Sequence, residues 1–328
     1  MEPSLFVMLL LALGFAYTNG FHDSANAIAT SVSTKALTPR IALLLASAAN
    51  LLGAFFGTRV AETVGEGIIG VEGPTFALVS GSLIGATAWN LATWWRGLPS
   101  SSTHALVGGM VGAALATGAS IQWDGVLWRV AVPMVLSPVV GLILGWVMLR
   151  LLVRVLGRRD RRESARSLRS AQTVSAAAMA FGHGMQDAAK VAGMIVLALV
   201  ATGRHDPAGQ SAIPWWTIAL SGAVMSVGTY AGGWRIIRTL GARMVSLTPA
   251  QGFAAEAAAA ITLAMATAFR APISTTYTIT SAIAGAGSAG GVRSVRWDVA
   301  RGILAAWVLT LPGAALVAGL VALLLDLA

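Results

Sequence analysis

Asn19-Gly20-Phe21-His22-Asp23-Ser24-Ala25-Asn26 decides the fold, because a cognate stretch, His183-Gly184-Met185-Gln186-Asp187-Ala188-Ala189-Lys190, stands in the second half of the chain. Both centre on an aspartate three residues after a glycine, and both sit inside apolar sequence. A carboxylate within a bilayer costs roughly 2.5–3.5 kcal/mol on insertion scales, so it is a functional-site hypothesis by default. Two of them at matching places describe a membrane protein whose site lies where two repeats meet.

Composition agrees. The 328 residues are 56% hydrophobic and only 11% charged, against about 25% charged in a soluble protein. Mean hydropathy is +0.75. The net charge of +9 does not imply nucleic acid, because the arginines fall between apolar runs, where they set topology. Cysteine is absent, which excludes disulfides. Met1-Glu2-Pro3 lacks the basic flank of a signal peptide, so the first apolar run is expected to be retained.

Apolar segments fall near 4–33, 41–62, 76–95, 103–118 and 126–153, and recur near 172–202, 213–231, 250–269, 273–290 and 299–325. The first of each set is expected to break at its cassette. The pairs 76–95/103–118 and 250–269/273–290 are each split by a short turn containing proline, which reads as a re-entrant hairpin buried in protein. Other motifs recur as well. Gly97-Leu98-Pro99-Ser100-Ser101-Ser102-Thr103-His104 matches Arg270-Ala271-Pro272-Ile273-Ser274-Thr275-Thr276-Tyr277 at a spacing of 173, and Trp123-Asp124 matches Trp297-Asp298 at 174. The cassettes are 164 apart, with the difference taken up by loops. The expected fold is an all-α polytopic membrane protein. Its two inverted repeats, 1–153 and 171–328, carry broken helices and Pro-Ser/Thr hairpins, and a basic linker, 154–170, joins them.

That linker carries Arg154, Arg158, Arg159, Arg161, Arg162, Arg166 and Arg169, so it is expected in the cytoplasm of a multi-pass cell-membrane protein. It also offers a docking place for a cytoplasmic regulator. Arg235, Arg238 and Arg243 share its side, and the acidic loop with Glu62, Glu66 and Glu72 falls outside. An odd number of crossings per half inverts the second half.

Asp23 and Asn26 share a helix face. Gly20 would permit a break that exposes backbone groups. Ser101, Ser102 and Thr103, like Ser274, Thr275 and Thr276, directly precede an apolar run. Hydroxyls and free N–H groups at a helix start make an anion site, although a single such turn reads as ordinary capping. His22, His104 and His183 lack the H-x-x-x-H spacing of a metal site, so no metal is assigned.

Gly20 through Thr30 resembles the first signature of the inorganic phosphate transporter (PiT) family. His183 through Lys190, with Gly193, resembles its second signature, and the two Pro-Ser/Thr turns resemble its Pro-x-Ser-Thr-Thr-His motifs. The resemblance implies an inverted-repeat, often dimeric transporter in which the aspartates and hairpin hydroxyls bind phosphate and coupling cations. His22 and Gln186 stand where family members commonly carry asparagine, and Tyr277 replaces a histidine.

The expected function is secondary import of phosphate coupled to a cation, without enzymatic activity or a resident cofactor. The substrate set is Asp23, Asn26, Ser101, Ser102, Thr103, Asp187, Ser274, Thr275 and Thr276, and the coupling-ion set is Asp23, Asn26, Asp187, Lys190, His22 and Gln186. Lys190 aligns with Asn26 and offers a positive charge where a sodium ligand would stand, which favours protons. Sodium-coupled phosphate symport and sulfate carriage are the alternatives. No G-x-x-x-x-G-K-[ST] is present for an ATP-driven pump, and no nucleophile or metal spacing supports a membrane hydrolase.

Overall fold

The computed structural model describes residues 2–66, 68, 74–156, 161–206 and 213–327. These form α-helices α1 (Pro3–Ser33), α2 (Pro39–Ala54), α3 (Thr58–Glu66), α4 (Phe76–Arg96), α5 (Ser102–Thr117), α6 (Val132–Leu156), α7 (Arg161–Ala201), α8 (Trp215–Ala231), α9 (Trp234–Arg238), α10 (Pro249–Ala268), α11 (Thr275–Ala289) and α12 (Trp297–Asp326). Five helical stretches among the described residues are long and apolar enough to cross a bilayer: Pro3–Ser33, Phe76–Arg96, Gly125–Leu156, Arg166–Ala201 and Trp297–Asp326. The 31 residues of α1 extend about 46 Å at 1.5 Å per residue, beyond a hydrocarbon core of about 30 Å. Of the linker arginines, Arg154 ends within α6 and Arg161, Arg162, Arg166 and Arg169 belong to α7. Arg158, Arg159 and Glu72 lie outside the described residues.

The breaks expected at the cassettes are absent. α1 runs unbroken through Gly20, and α7 through Gly184. The glycines serve packing instead. A Cβ on Gly20 would lie 2.2 Å from the Met225 carbonyl oxygen, and one on Gly184 would lie 2.1 Å from that of Asn50. In a bilayer, where apolar burial does not drive helices together, such small residues let backbones approach. The segment expected over 41–62 divides into α2 and α3 for the same reason. Gly57 sits in the gap, and its Cβ would be 2.0 Å from the Met185 oxygen.

Chain reversals occur at the Pro-Ser/Thr turns. α4 is capped by Gly97 in the left-handed region (φ 66°), and Arg270, just past the Phe269 cap of α10, is left-handed at the matched place (φ 57°). This conformation costs a non-glycine residue about 1–2 kcal/mol. Ser101 and Ser274 then cap α5 and α11 by accepting from the N–H of His104 and Tyr277.

The packing repeats with the sequence. α1 packs on α8 as α7 packs on α2, and α1 packs on α4 as α7 packs on α10. The α4–α5 hairpin lies against α12 as the α10–α11 hairpin lies against α6, so each half's hairpin is held by the other half's last helix. Leu5 to Ala16 of α1 share one apolar core with Val191 to Leu199 of α7. Ala25 to Ala29 share a second core with Met179 and Ala180. The two helices therefore run antiparallel, and both cassettes lie between the cores.

Candidate functional site

Helical spacing puts Asn19, Asp23, Asn26 and Thr30 on one buried face of α1, and His183, Asp187 and Lys190 on one buried face of α7. Both hairpin tips reach this level. Ser102 and Thr103 open α5, Thr275 and Thr276 open α11, and all four are buried.

The contacts obey the same twofold relation. Ser102 donates to Asp23, and its counterpart Thr275 donates to Asp187 at 3.4 Å. The Asn26 amide donates to Thr276 at 2.9 Å, and its counterpart Lys190 donates to Thr103 at 2.6 Å. Each half thus grips the other's hairpin. The Lys190 ammonium also donates to Asp187 Oδ1 at 2.8 Å and to the Ile273 carbonyl at 2.8 Å, and Thr103 Oγ1 donates to that carbonyl at 3.3 Å. The tips are therefore joined to each other. Thr276 Oγ1 donates to Asp23 Oδ1 at 3.2 Å, so Asp23 accepts from both hairpins.

Two expected ion ligands also hold the hairpins. His22 and Gln186 occupy matched positions, and each braces its own hairpin. His22 Nδ1 is 2.7 Å from Asp23 Oδ1, and its Nε2 is 3.1 Å from Thr93 Oγ1 and 3.4 Å from Ser100 Oγ. Gln186 Nε2 donates to Thr267 Oγ1 at 2.9 Å and the Ala271 carbonyl at 3.3 Å, and its Oε1 accepts from Ile273 N at 3.2 Å. Ser101 and Ser274 are occupied as caps. At the next matched pair, His104 stacks on Tyr277 at 4.5 Å, and Tyr277 stacks on Trp307 at 3.8 Å. Tyrosine at 277 keeps a flat ring there.

Some of the site was not in the expected set. Asn19 Oδ1 accepts from Ser102 at 2.7 Å. His183 Nε2 lies 3.0 Å from Asp187 Oδ2 but off hydrogen-bond alignment, which leaves the nitrogen without a hydrogen-bond partner. His183 Nδ1 is 3.0 Å from Asn50 Oδ1. Ligand atoms of Asp23, His183 and Asp187 lie within 4.8 Å of one another, a buried cluster able to hold a cation. Asn26 Oδ1 is buried without a hydrogen-bond partner. An i, i+4 His-Asp pair was the legible signal for His183.

A third buried carboxylate lies apart from the centre. Glu256 of α10 accepts from Thr30, from Ser31 at 2.5 Å, from Gln172 at 3.2 Å and from Ser175 at 2.6 Å. It has no basic partner among the described residues. Its sequence counterpart in the first half is Leu83, inside the apolar core. Nothing in the duplicated motifs announces it.

Chemically, two helix N-termini converge on one point, each with unpaired N–H groups and hydroxyls in its first turn. Asp23 and Asp187 stand opposite a single buried ammonium, Lys190. With both carboxylates ionised, the centre is one positive charge short before any anion arrives. An anion therefore needs accompanying cations or protons.

A sequence profile of the phosphate transporter family matches residues 19–318. The chain is 43% identical over 321 residues to the probable low-affinity inorganic phosphate transporter of Rhizobium meliloti (strain 1021), covering 97% of this chain and 95% of that one. It is 38% identical over 314 residues to the protein of the same description in Bacillus subtilis (strain 168), covering 93% and 92%. A solved structure, described as the sodium-dependent phosphate transporter, matches with a TM-score of 0.90 at 26% identity, covering 99% of both chains.

Proposed function

The chain belongs to the phosphate transporter family, and we propose that it is a proton-coupled secondary transporter that imports inorganic phosphate through the site between its two hairpins. Transport, not catalysis, is the activity its relatives' names carry. Import against about 100 mV costs about 2.3 kcal/mol per charge, so a phosphate mono- or dianion needs co-transported positive charge.

One observation carries the choice of coupling ion. The Lys190 ammonium fills the space between Asp187, Thr103 and the Ile273 carbonyl, where a hard cation would find its oxygen ligands. A second reading, sodium coupling, is favoured by the unpartnered Asn26 Oδ1 beside Asp23 and by the structural relative's description. The antiparallel α1 and α7 support the inverted-repeat reading, with the linker cytoplasmic and the hairpins re-entrant.

Uptake of radiolabelled phosphate into proteoliposomes under imposed gradients tests this. Accumulation should follow an inward proton gradient in sodium-free buffer and be competed by arsenate. Absolute dependence on sodium would transfer the coupling to the Asp23–Asn26 side. Uptake of sulfate with no transport of or competition by phosphate would overturn the substrate.

A further inference from the structure

We propose that a cavity at the back of the second hairpin is a separate phosphate-group site, formed by Arg129 and Arg270, that captures the anion ahead of the central site. The proposal extends the phosphate-transport reading. The cavity holds about 500 Å³ and is lined by Glu62 and Thr63 of α3, Trp128 and Arg129, and Phe269 to Ala271. It lies at the molecule's end away from the linker, because Arg129 precedes α6 and the far end of α6 leads into the linker. Arginines on that side run against the topological bias that fills the linker.

Arg270 is the telling residue. Its backbone is left-handed at φ 57°, at the position where the first half uses Gly97. Glycine would close the turn without strain, so the retained arginine points to a role for its side chain. Thr63 Oγ1 donates to the Arg270 carbonyl at 3.0 Å and fixes the backbone there. The guanidinium lies 3.9 Å from Glu62, and both groups are substantially solvent-exposed. Such a pair is weak and yields readily to a stronger acceptor. Arg129 forms no ion pair among the described residues. Two guanidiniums against one carboxylate present a planar, fork-like donor set that matches phosphate oxygens. The cavity also adjoins the central machinery. Ala271, in its wall, accepts from Gln186, and Ile273, two residues on, accepts from Lys190.

The aromatic rim, Trp128 and Phe269, suits a lipid phosphate as well as a free one. The experiment separates them. Equilibrium binding of radiolabelled inorganic phosphate is measured on full-length protein in phosphatidylcholine membranes. The Thr103→Ala/Thr276→Ala background weakens phosphate binding at the central site, and Arg129→Gln with Arg270→Gly is added to it. Gly97 shows that glycine suits this turn, so Arg270→Gly is expected to fold. Residual binding should fall roughly fivefold or more with the arginine pair removed, and this difference should shrink as ionic strength rises from about 0.01 to about 0.15 M. In the wild-type background the same pair should raise the uptake KM with Vmax within about twofold. If a lipid headgroup is the occupant, phosphate binding is unchanged, but phosphatidylglycerol raises the thermal midpoint only when the arginines are present. Equal phosphate binding and equal lipid response with and without the arginines overturn the proposal. Because the binding readout needs no transport, a failure of uptake alone falls on the central-site reading.

Discussion

Lys190 pairs with Asp187 at 2.8 Å across one turn of α7, whereas the matched residue of α1, Asn26, gives Asp23 no ammonium and reaches Thr276 at 2.9 Å. The twofold frame is thus kept in backbone and hairpin contacts and broken in charge. One aspartate has a resident cation and the other does not, so the two halves will respond differently to the same substitution.

Asp23→Asn and Asp187→Asn should both abolish concentrative uptake, yet part in stability. Asp187→Asn strands the Lys190 ammonium in a buried site, a loss of about 3–5 kcal/mol when one partner of a buried pair is removed. Asp23→Asn removes a costly charge that has no lysine or arginine beside it, so its thermal midpoint should stay level or rise. Midpoints in detergent compare the two. Near-normal uptake by either variant would reduce its aspartate to a structural role.

Lys190→Asn recreates in α7 the residue found in α1. Proton-driven uptake should fall by about tenfold or more, and both uptake and thermal stability should become responsive to sodium, because Asp187 then requires a mobile cation. Retained proton-driven uptake with no response to sodium would show that the ammonium is not what sets the coupling ion.

Much of this was legible because duplication is read from sequence: matched motifs located both helices and both hairpins that form the site. What misled was Gly20. A glycine beside an aspartate in an apolar run reads as a helix break, but the partner it packs against, Met225, is 205 positions away and invisible to local reasoning. The hairpin contacts of His22 and Gln186 were hidden for a related reason. Their side chains brace hairpins whose approach no spacing rule predicts. Glu256 escaped because only one half carries it.

Thr103→Ala and Thr276→Ala should weaken phosphate binding more than folding. Each hydroxyl stands in the first turn of a hairpin helix and contacts the opposite cassette, Lys190 and Asn26 respectively. A lost hydrogen bond to a charged group is worth roughly 1.5–3 kcal/mol, or about ten- to a hundredfold in affinity. Apparent KM for phosphate reads this, and an unchanged value in both variants would remove the tips from the substrate site.

Glu256→Gln separates a coupling role from a scaffolding one. The carboxylate accepts from Thr30, Ser31, Gln172 and Ser175, which tie α1, α7 and α10 together. Glutamine keeps the volume and one acceptor oxygen but replaces the other with a donor that faces Ser175 or the Thr30–Ser31 pair. It also removes the burial of an unpaired charge, so the change in folding stability should be small, within about 1 kcal/mol, as the lost hydrogen bonds and the relieved charge offset each other. A group that only ties helices would then leave transport nearly intact. A group that takes up a proton or cation during the cycle cannot be replaced by an amide that never changes charge. Gradient-driven accumulation should therefore fall at least about tenfold, while phosphate exchange between the two sides at equal concentrations persists. Accumulation and exchange both close to the unsubstituted protein's would assign Glu256 to the scaffold.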